Sequence, residues 1–331
     1  MMSLPHCAKI LVHPSQFPES VRAALAESLR SRNVNHKFHY DSHKQAEKWL
    51  ALHEAYSPSR TDPNCKGIYD RSFERVADQP LSPLVHVVGL GCGGGQKDAC
   101  LLRGLRDSGK EVVYTPLDVS MALVLVARRA ALAVVEDGDC FPVVCDLGMS
   151  QDLGQLLDSQ TPPGASRILT FFGMIPNFEP AVILPRLAGL VRPGDHLLFS
   201  ANLAPGPDYR QGIERILPLY DNELTRDWLL TFLLDLGFER HDGRLEFGIE
   251  HGPAEAALLR VTATYGCEQR RMVALDGESF EFQAGDRIRL FFSYRHTPEM
   301  VRVLLQPYGL LLAEQWISGS GEEGVFLVRR K

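Results

Sequence analysis

The sequence predicts an α/β fold, in which helices cover both faces of a parallel sheet, together with a separate unit rich in antiparallel strands. Three patterns in the 331 residues indicate this fold. Apolar runs alternate with helical patterns between residues 84 and 201, glycines follow the first of these runs, and strand-like alternation dominates residues 244–295. Buried apolar strands interleaved with helices are typical of a parallel sheet with helices on both faces.

The N-terminal part is predicted to be helical. Apolar residues at helical spacing indicate a helix over 21–29. Ser42 and Gln45 have the spacing of a capping box, so a second helix should begin there and run to about residue 55. Asp62 followed by Pro63 is a favourable start for a third helix.

The remaining elements follow from apolar runs and their periodicity. We predict strands over 84–90, 111–117, 141–146, 167–172 and 196–201, and helices over 97–105, 121–135, 181–190, 209–219 and 224–236. A helix over 297–305 then precedes two strands, 310–318 and 324–330. This terminal helix and strand pair should complete the first sheet, so the strand-rich stretch between is predicted to be an insertion.

Composition narrows the functional classes. The net charge of −6, without a concentrated basic stretch, argues against nucleic acid as a partner. We predict neither a secretory leader nor a membrane span, because the sequence shows no basic segment followed by a long apolar stretch. The seven cysteines contain no C-x-x-C pair. We therefore expect a reduced, cytoplasmic monomer. His39 and His43 have a metal-binding spacing, but a helix that begins at Ser42 separates them, so no metal site is predicted.

The glycine-rich turn after the first central strand is the most informative segment. It contains Gly91, Gly93 and Gly95, and a predicted helix follows. Glycine permits a positive φ and a close approach of ligand to backbone, and a helix N-terminus attracts anions. Three interpretations fit: a dinucleotide site, an S-adenosylmethionine site, and a tight turn without a ligand.

Acids at the next two strand ends favour S-adenosylmethionine. Asp118 ends the second strand, where a carboxylate can accept both ribose hydroxyls. Asp146 ends the third, which is typical of adenine recognition in S-adenosylmethionine enzymes, although it could also be a helix N-cap. No P-loop pattern is present. These signals predict a Rossmann-like class I methyltransferase sheet, and leave an NAD-dependent oxidoreductase as a weaker interpretation.

From about residue 35 onward, the sequence resembles the histidine-specific, S-adenosylmethionine-dependent methyltransferases of ergothioneine biosynthesis and the related dimethylallyltryptophan N-methyltransferases. Seven segments resemble motifs of the family in order: F-Y-D at 38–41, P-E-Y-Y-x-T-R at 54–60, G-S-G-S-x-x-K at 91–97, Y-x-P-x-D-x-S at 114–120, L-G-S-T-I-G-N-x-x-P at 172–180, which is one residue shorter than the motif, Y-D-D at 220–221 and R-x-E-x-S-x at 289–294.

The resemblance implies a role for each matching residue. Those implied to bind the cofactor S-adenosylmethionine are Tyr40, Gly91, Gly93, Lys97, Asp118, Asp146 and Leu147. Those implied to bind a small-molecule substrate, an amino acid or amine, are Tyr56, Gly173, Asn177, Tyr220, Phe291 and Ser293. Tyr56 and Asn177 are also predicted to orient the reacting amine. Without the resemblance, Tyr56 could equally be a core residue and Asn177 a helix N-cap.

Two departures from the family pattern bear on function. Phe291 stands where the family has the glutamate that pairs with imidazole, which leaves an imidazole poorly paired at a cost of about 1–3 kcal/mol. Gly89 stands where an acid usually precedes the glycine loop. We therefore predict a methyltransferase that N-methylates an amino acid other than histidine, or a similar amine. The alternative is a degenerate relative that binds S-adenosylmethionine or another ligand without turnover.

The predicted organisation has three parts. Residues 1–60 form an N-terminal helical segment that contributes to the cofactor and substrate site. Residues 61–205 and 297–331 form the Rossmann-like domain that binds S-adenosylmethionine. Residues 206–296 form an inserted α+β domain that binds the substrate and caps the cleft.

Overall fold

The computed structural model describes residues 7–253 and 257–331. Its strands, in chain order, are β1 (Leu11–Val12), β2 (Leu84–Leu90), β3 (Glu111–Asp118), β4 (Val143–Val144), β5 (Ser166–Phe171), β6 (His196–Asn202), β7 (Gly243–His251), β8 (Leu259–Cys267), β9 (Arg271–Leu275), β10 (Glu278–Phe282), β11 (Arg287–Tyr294), β12 (Leu310–Ile317) and β13 (Glu323–Arg330). The α-helices are α1 (Pro18–Ser31), α2 (His43–Tyr56), α3 (Pro58–Thr61), α4 (Pro63–Ala77), α5 (Gln96–Asp107), α6 (Met121–Ala131), α7 (Leu153–Gln160), α8 (Pro180–Leu190), α9 (Tyr209–Tyr220), α10 (Glu223–Asp235) and α11 (Pro298–Leu305).

An eight-stranded sheet forms the centre of the molecule, with the order β1-β4-β3-β2-β5-β6-β13-β12. The six strands from β1 to β6 pair in parallel, while β13 pairs antiparallel with both β6 and β12. The order reverses direction between β2 and β5. In such a sheet, ligands bind outside the carboxyl ends of the strands at this reversal.

Apolar layers cover both faces of this sheet, as its nearly continuous apolar strands require. One layer includes Leu157 of α7, Ile183 of α8 and Val301 of α11. The opposite layer includes Ile68 of α4 and Leu101 of α5. The helices are therefore held by their apolar faces, and the loops at the strand ends are left to form a site.

Side-chain caps fix the starts of helices α2 and α4. The capping box of α2 is confirmed, since the Gln45 N–H donates to the Ser42 hydroxyl and the Gln45 side chain accepts from the Ser42 N–H. At the start of α4, the Asn64 N–H donates to the Asp62 carboxylate at 2.9 Å, as predicted from Asp62 and Pro63. The predicted starts of both helices are therefore confirmed.

The strand-rich stretch is hydrogen-bonded within its own sheets. Strands β7, β8 and β11 form an antiparallel sheet, and β9 pairs with β10 as a hairpin. Its apolar cluster contains Trp228 and Phe232 of α10 and Phe282 of β10, and it also receives Phe38 from the N-terminal segment. The register of β11 shifts between Arg289 and Phe291, and such a bulge redirects the side chains that follow it.

Several elements differ from the sequence prediction, among them the short helix α3, which was not predicted, and α6, which ends before its predicted end at residue 135. Strand β1, in the segment predicted to be helical, adds to β4 at the sheet edge; its two residues are exposed and carry no burial pattern. Strand β4 has two residues instead of the predicted six, and Pro142 before it has no N–H for a ladder. Helix α7 was not predicted, because only Leu153 and Leu157 of its eight residues are buried. No helix within 7–253 or 257–331 has the length and apolar character needed to cross a membrane.

Candidate active site

A cavity of about 360 Å³ opens at the carboxyl edge of the large sheet. Its walls come from the glycine loop, the ends of β3 and β4, helix α2, the end of α9 and strand β11. Of the residues predicted for cofactor or substrate, those that line it are Tyr40, Tyr56, Gly91, Gly93, Lys97, Asp118, Asp146, Leu147, Gly173, Asn177, Tyr220 and Phe291. Ser293 does not line the cavity.

The glycine loop needs its glycines for conformation and for packing. Gly93 has a φ of 52°, and a Cβ there would lie 2.8 Å from Cη2 of Trp49. A larger residue would therefore be strained and would displace the indole. The loop backbone consequently stays bare on the cavity side, where a ligand can approach it closely.

Backbone donors hold Asp118 at the end of β3. Its Oδ2 accepts a 3.0 Å hydrogen bond from the Gly93 N–H, and its Oδ1 accepts one of 3.0 Å from the Ser120 N–H. Burial raises the pKa of this carboxyl to about 6, while the backbone hydrogen bonds act in the opposite direction. A buried acceptor beside the glycine loop is the arrangement expected for ribose hydroxyls.

Asp146 after β4 is joined to the N-terminal segment. The Lys37 ammonium lies 3.1 Å from Oδ2 of Asp146, and both side chains are largely buried. The Gly148 N–H donates to Oδ1 at 2.9 Å, so the aspartate also closes a local turn. Sequence reasoning did not identify Lys37, since 109 residues separate it from its partner.

Lys97 lies on the first turn of α5, over the ring of Tyr69. Its ammonium donates to the Tyr69 hydroxyl at 2.8 Å and lies 3.8 Å from Glu323 Oε1. The Tyr69 hydroxyl in turn donates to Glu323. Burial lowers the pKa of Lys97, and the adjacent Glu323 acts against this effect. The lysine therefore presents a positive charge at the rim of the glycine loop.

Aromatic rings form the wall between the glycine loop and β11. The Tyr40 ring lies 5.7 Å from Trp49 and 5.5 Å from Trp228, centre to centre. Tyr56, at the end of α2, stands at the mouth with 52% of its surface exposed. A predicted core role for Tyr56 does not fit this position, whereas contact with an entering substrate does.

Asn177 and Gly173 follow β5 on the far side of the cavity. The Asn177 amide nitrogen donates to the Phe292 carbonyl at 2.7 Å, which joins this loop to β11. The residue is not the N-cap of α8, a position that Glu179 occupies. Gly173 has a φ of 71°, and its N–H donates to the Ser200 hydroxyl.

A buried arginine lies on the substrate side. Arg295 is 8% exposed and lines the cavity, and its Nη2 donates to the Tyr220 hydroxyl at 2.6 Å. The other hydrogen bonds it makes among the described residues go to neutral backbone carbonyls, and its buried Nε has no partner there. The Tyr220 hydroxyl donates to Ser293 at 3.0 Å. Ser293 thus supports Tyr220 from behind.

The spacing of the sequence contains a signal for Arg295. It stands two and four residues beyond Ser293 and Phe291, and alternate residues of an extended chain point to the same side. Phe291 itself reaches the cavity between Tyr220 and Trp228, with ring centres 6.2 Å and 6.0 Å away. This wall is aromatic where the family motif has a carboxylate.

Two histidines that line the cavity are uncharged at neutral pH. Burial lowers the pKa of His36 to about 4 and that of His53 to about 3. His53 also lies near the positive charges of Lys97 and Arg60, which lower its pKa further. The two imidazoles therefore add no positive charge to the cavity and do not repel a cationic ligand.

The fold and the cavity define the class of the protein. Three features are typical of a class I, S-adenosylmethionine-dependent methyltransferase. They are a glycine loop after β2, acids at the ends of β3 and β4, and a last strand that is inserted antiparallel beside β6. A model of the family described as "Histidine-specific methyltransferase, SAM-dependent" matches residues 17–330. The chain belongs to this family, and its cofactor is S-adenosylmethionine.

Individual relatives agree with this assignment. The chain is 28% identical to a histidine N-alpha-methyltransferase of Mycobacterium tuberculosis over 74% of its own length and 75% of the relative. It is 24% identical to the N-methyltransferase imqF of Aspergillus flavus, over 82% and 73% of the two chains. A solved structure of a putative methyltransferase from Thermobifida fusca, 10% identical, shares the fold with a TM-score of 0.50 over 90% of this chain and 95% of that one. The predicted family, fold class, enzymatic activity and cofactor are confirmed.

Proposed function

We propose that the enzyme N-methylates the α-amine of an amino acid whose side chain is aromatic or apolar, and that histidine is a poor substrate. The observation that carries the proposal is one wall of the cavity, where the buried cation Arg295 and the ring of Phe291 both neighbour Tyr220. A charge and an aromatic surface on one wall match the two ends of such an amino acid.

The carboxylate of the substrate accounts for Arg295. A buried guanidinium whose partners are neutral oxygens carries a desolvation cost that a carboxylate can offset. Arginine presents donors in a planar fork that suits a carboxylate. The adjacent Tyr220 hydroxyl, which Arg295 and Ser293 hold in place, can turn its proton to the same group.

The amine is assigned to Asn177. Its amide nitrogen is engaged by the Phe292 carbonyl, so its amide oxygen remains as an acceptor for a substrate N–H. An acceptor in this role favours the neutral amine in a fixed orientation. Such positioning can supply several kcal/mol, up to about 7–11 in ideal cases. Tyr56 at the mouth then lies where a departing proton meets water.

S-Adenosylmethionine supplies the methyl group on a positively charged sulfur. The chain binds it through the residues of the glycine loop, Asp118 and Asp146, and excludes water with Tyr40, Trp49 and Trp228. Because His36 and His53 are neutral, their rings add no repulsion to a cation in the cavity. The nitrogen needs its lone pair free, and no strong base is required once the amine is deprotonated.

Methylation of matched compounds tests the amino-acid assignment. With a radiolabelled methyl donor, phenylalanine, tyrosine, tryptophan and leucine would be compared with their N-acetyl forms and with the corresponding amines that lack a carboxylate. We expect turnover of at least one free amino acid, none of its N-acetyl form, and at least about tenfold lower kcat/KM for its decarboxylated amine. Equal efficiency for the amine and the amino acid would remove the role given to Arg295.

A further inference from the structure

Gly89 of β2 and Asp98 of α5 pack against each other next to the glycine loop. Gly89 lies in strand β2, and a Cβ built on it would fall 2.2 Å from Oδ2 of Asp98 and 2.9 Å from the Tyr114 hydroxyl. The Asp98 carboxylate, on helix α5, therefore occupies the space in which a side chain at position 89 would lie. The chain lacks an acid on the strand and has one from the helix at the same place.

The Asp98 carboxylate is buried but not neutralised. The residue is 3% exposed, and its partners among the described residues are two neutral hydroxyls. Tyr114 donates to Oδ2 at 2.6 Å, and Thr170 donates to Oδ1 at 2.7 Å. An ionised carboxylate has about four acceptor positions, of which these contacts use two. Burial raises the pKa of the group, while the hydrogen bonds from Tyr114 and Thr170 and the charge of Lys97 act in the opposite direction. A further cation at the two free acceptor positions would stabilise its charged form.

The order of the strands indicates which part of the cofactor meets Asp98. Across the sheet the order is β4-β3-β2-β5. Asp146 at β4 and Asp118 at β3 are assigned to the adenine and the ribose. The methionine end therefore extends toward β2 and β5, and Asp98 lies there, against Gly89 of β2 and Thr170 of β5. It also lines the cavity.

We propose that Asp98 binds the α-ammonium group of S-adenosylmethionine and replaces the missing acid of strand β2. Lys97, the preceding residue, lines the same cavity with the opposite charge. The first turn of α5 thus offers a carboxylate and an ammonium to the two charges of the cofactor's amino-acid end. Gly89 is then not a lost function but the space that this arrangement requires.

Calorimetry with matched ligands separates this role from a structural one. S-Adenosylhomocysteine carries the amino-acid end, whereas 5′-methylthioadenosine lacks it. We expect Asp98→Asn to weaken S-adenosylhomocysteine about 10- to 100-fold, as for a lost charge-assisted hydrogen bond, and to change methylthioadenosine less than about twofold. Asp107→Asn, on the exposed end of the same helix, should change neither. Equal weakening of both ligands, or of neither, would overturn the proposal.

A second test uses a modified ligand with the wild-type protein, so its result does not depend on how a variant folds. The analogue of S-adenosylhomocysteine in which hydrogen replaces the α-amine should bind at least about tenfold more weakly than the parent compound. Affinity within twofold of the parent would contradict the assignment. Because these measurements use the cofactor product alone, they are independent of the substrate proposed above.

Discussion

Two side chains of the cavity, one on the wall assigned to the cofactor and one on the wall assigned to the substrate, are held in different ways. Backbone groups hold Asp118, since the N–H groups of Gly93 and Ser120 donate to it. Side chains hold Tyr220, which is hydrogen-bonded to Arg295 and Ser293. The position of Asp118 therefore depends mainly on the fold, whereas that of Tyr220 can change with a single replacement. One fold can therefore retain its cofactor and change its substrate.

The largest effect should come from the substrate wall. Arg295→Met removes the buried charge and retains most of the side-chain volume, so kcat/KM for the amino acid should fall about 100-fold. The affinity for S-adenosylhomocysteine should stay within about twofold, because Arg295 belongs to the other wall. Steady-state kinetics and calorimetry measure the two quantities. The control is Arg287→Met, an exposed arginine at the start of β11, the strand that ends directly before Arg295. A parallel loss of cofactor affinity in Arg295→Met would contradict the separate roles given to the two walls.

Asp118→Ala tests the cofactor wall. The variant should weaken S-adenosylhomocysteine by about 1.5–3 kcal/mol, as expected for charge-assisted hydrogen bonds to the ribose. Asp139→Ala, at an exposed position, serves as the matched control. An unchanged affinity in a titration of Asp118→Ala would rule out the ribose assignment.

The affinity for S-adenosylhomocysteine should also depend on pH, through the carboxyl of Asp118. The pKa of Asp118 in the folded protein is about 6, above its ordinary value of 3.8. Ionisation of this carboxyl at pH 7 therefore lowers the free energy of unfolding. In the protein without ligand, the carboxyl becomes protonated below about pH 6. Ribose hydroxyls need the ionised acceptor. The affinity for S-adenosylhomocysteine should therefore fall roughly tenfold from pH 7 to pH 5. Asp118→Asn should reduce this dependence, and an equally steep profile in that variant would assign it to another group.

The smallest gain is expected from restoring the family's acid. Ser293 lies behind Tyr220 and does not line the cavity, so Phe291→Glu alone should raise kcat/KM for histidine by less than about tenfold. Activity on aromatic amino acids should decline, while Phe291→Leu should preserve it in part. A gain for histidine of 100-fold or more in Phe291→Glu would mean that the rest of the wall already suits an imidazole.

The sequence predicted the cofactor wall more fully than the substrate wall for a physical reason. Asp118 and Asp146 each follow an apolar run, and parallel strands end at one edge of a sheet, so local patterns placed both acids in one cavity. The ion pair between Lys37 and Asp146 has no local signature, because folding alone brings its residues together. Strand β1 likewise has no local sequence pattern, because its two residues are exposed and form a strand only by pairing with β4.

On the substrate wall, the motif spacing identified the residues but not which of their side chains reach the cavity. The motif predicted that Phe291 and Ser293 would face the substrate together. Both residues follow the register shift of β11, but only the phenyl ring of Phe291 reaches the cavity, because Tyr220 of α9 stands between Ser293 and the cavity. The interlock of Gly89 with Asp98 depends likewise on the packing of α5 against β2. A bulge and a helix–strand contact are properties of the folded chain.

Competition between substrates tests the central claim most directly. Equal concentrations of histidine and the best aromatic amino acid would be incubated with the enzyme and labelled methyl donor, and the methylated products would be quantified from one reaction. Their ratio gives the ratio of kcat/KM values without assumptions about either constant. We predict at least about tenfold preference for the aromatic amino acid, as for a site that leaves an imidazole unpaired. Preference for histidine, with kcat/KM near 10⁴ M⁻¹s⁻¹ or above, roughly the ordinary range for an enzyme on its own substrate, would contradict the account.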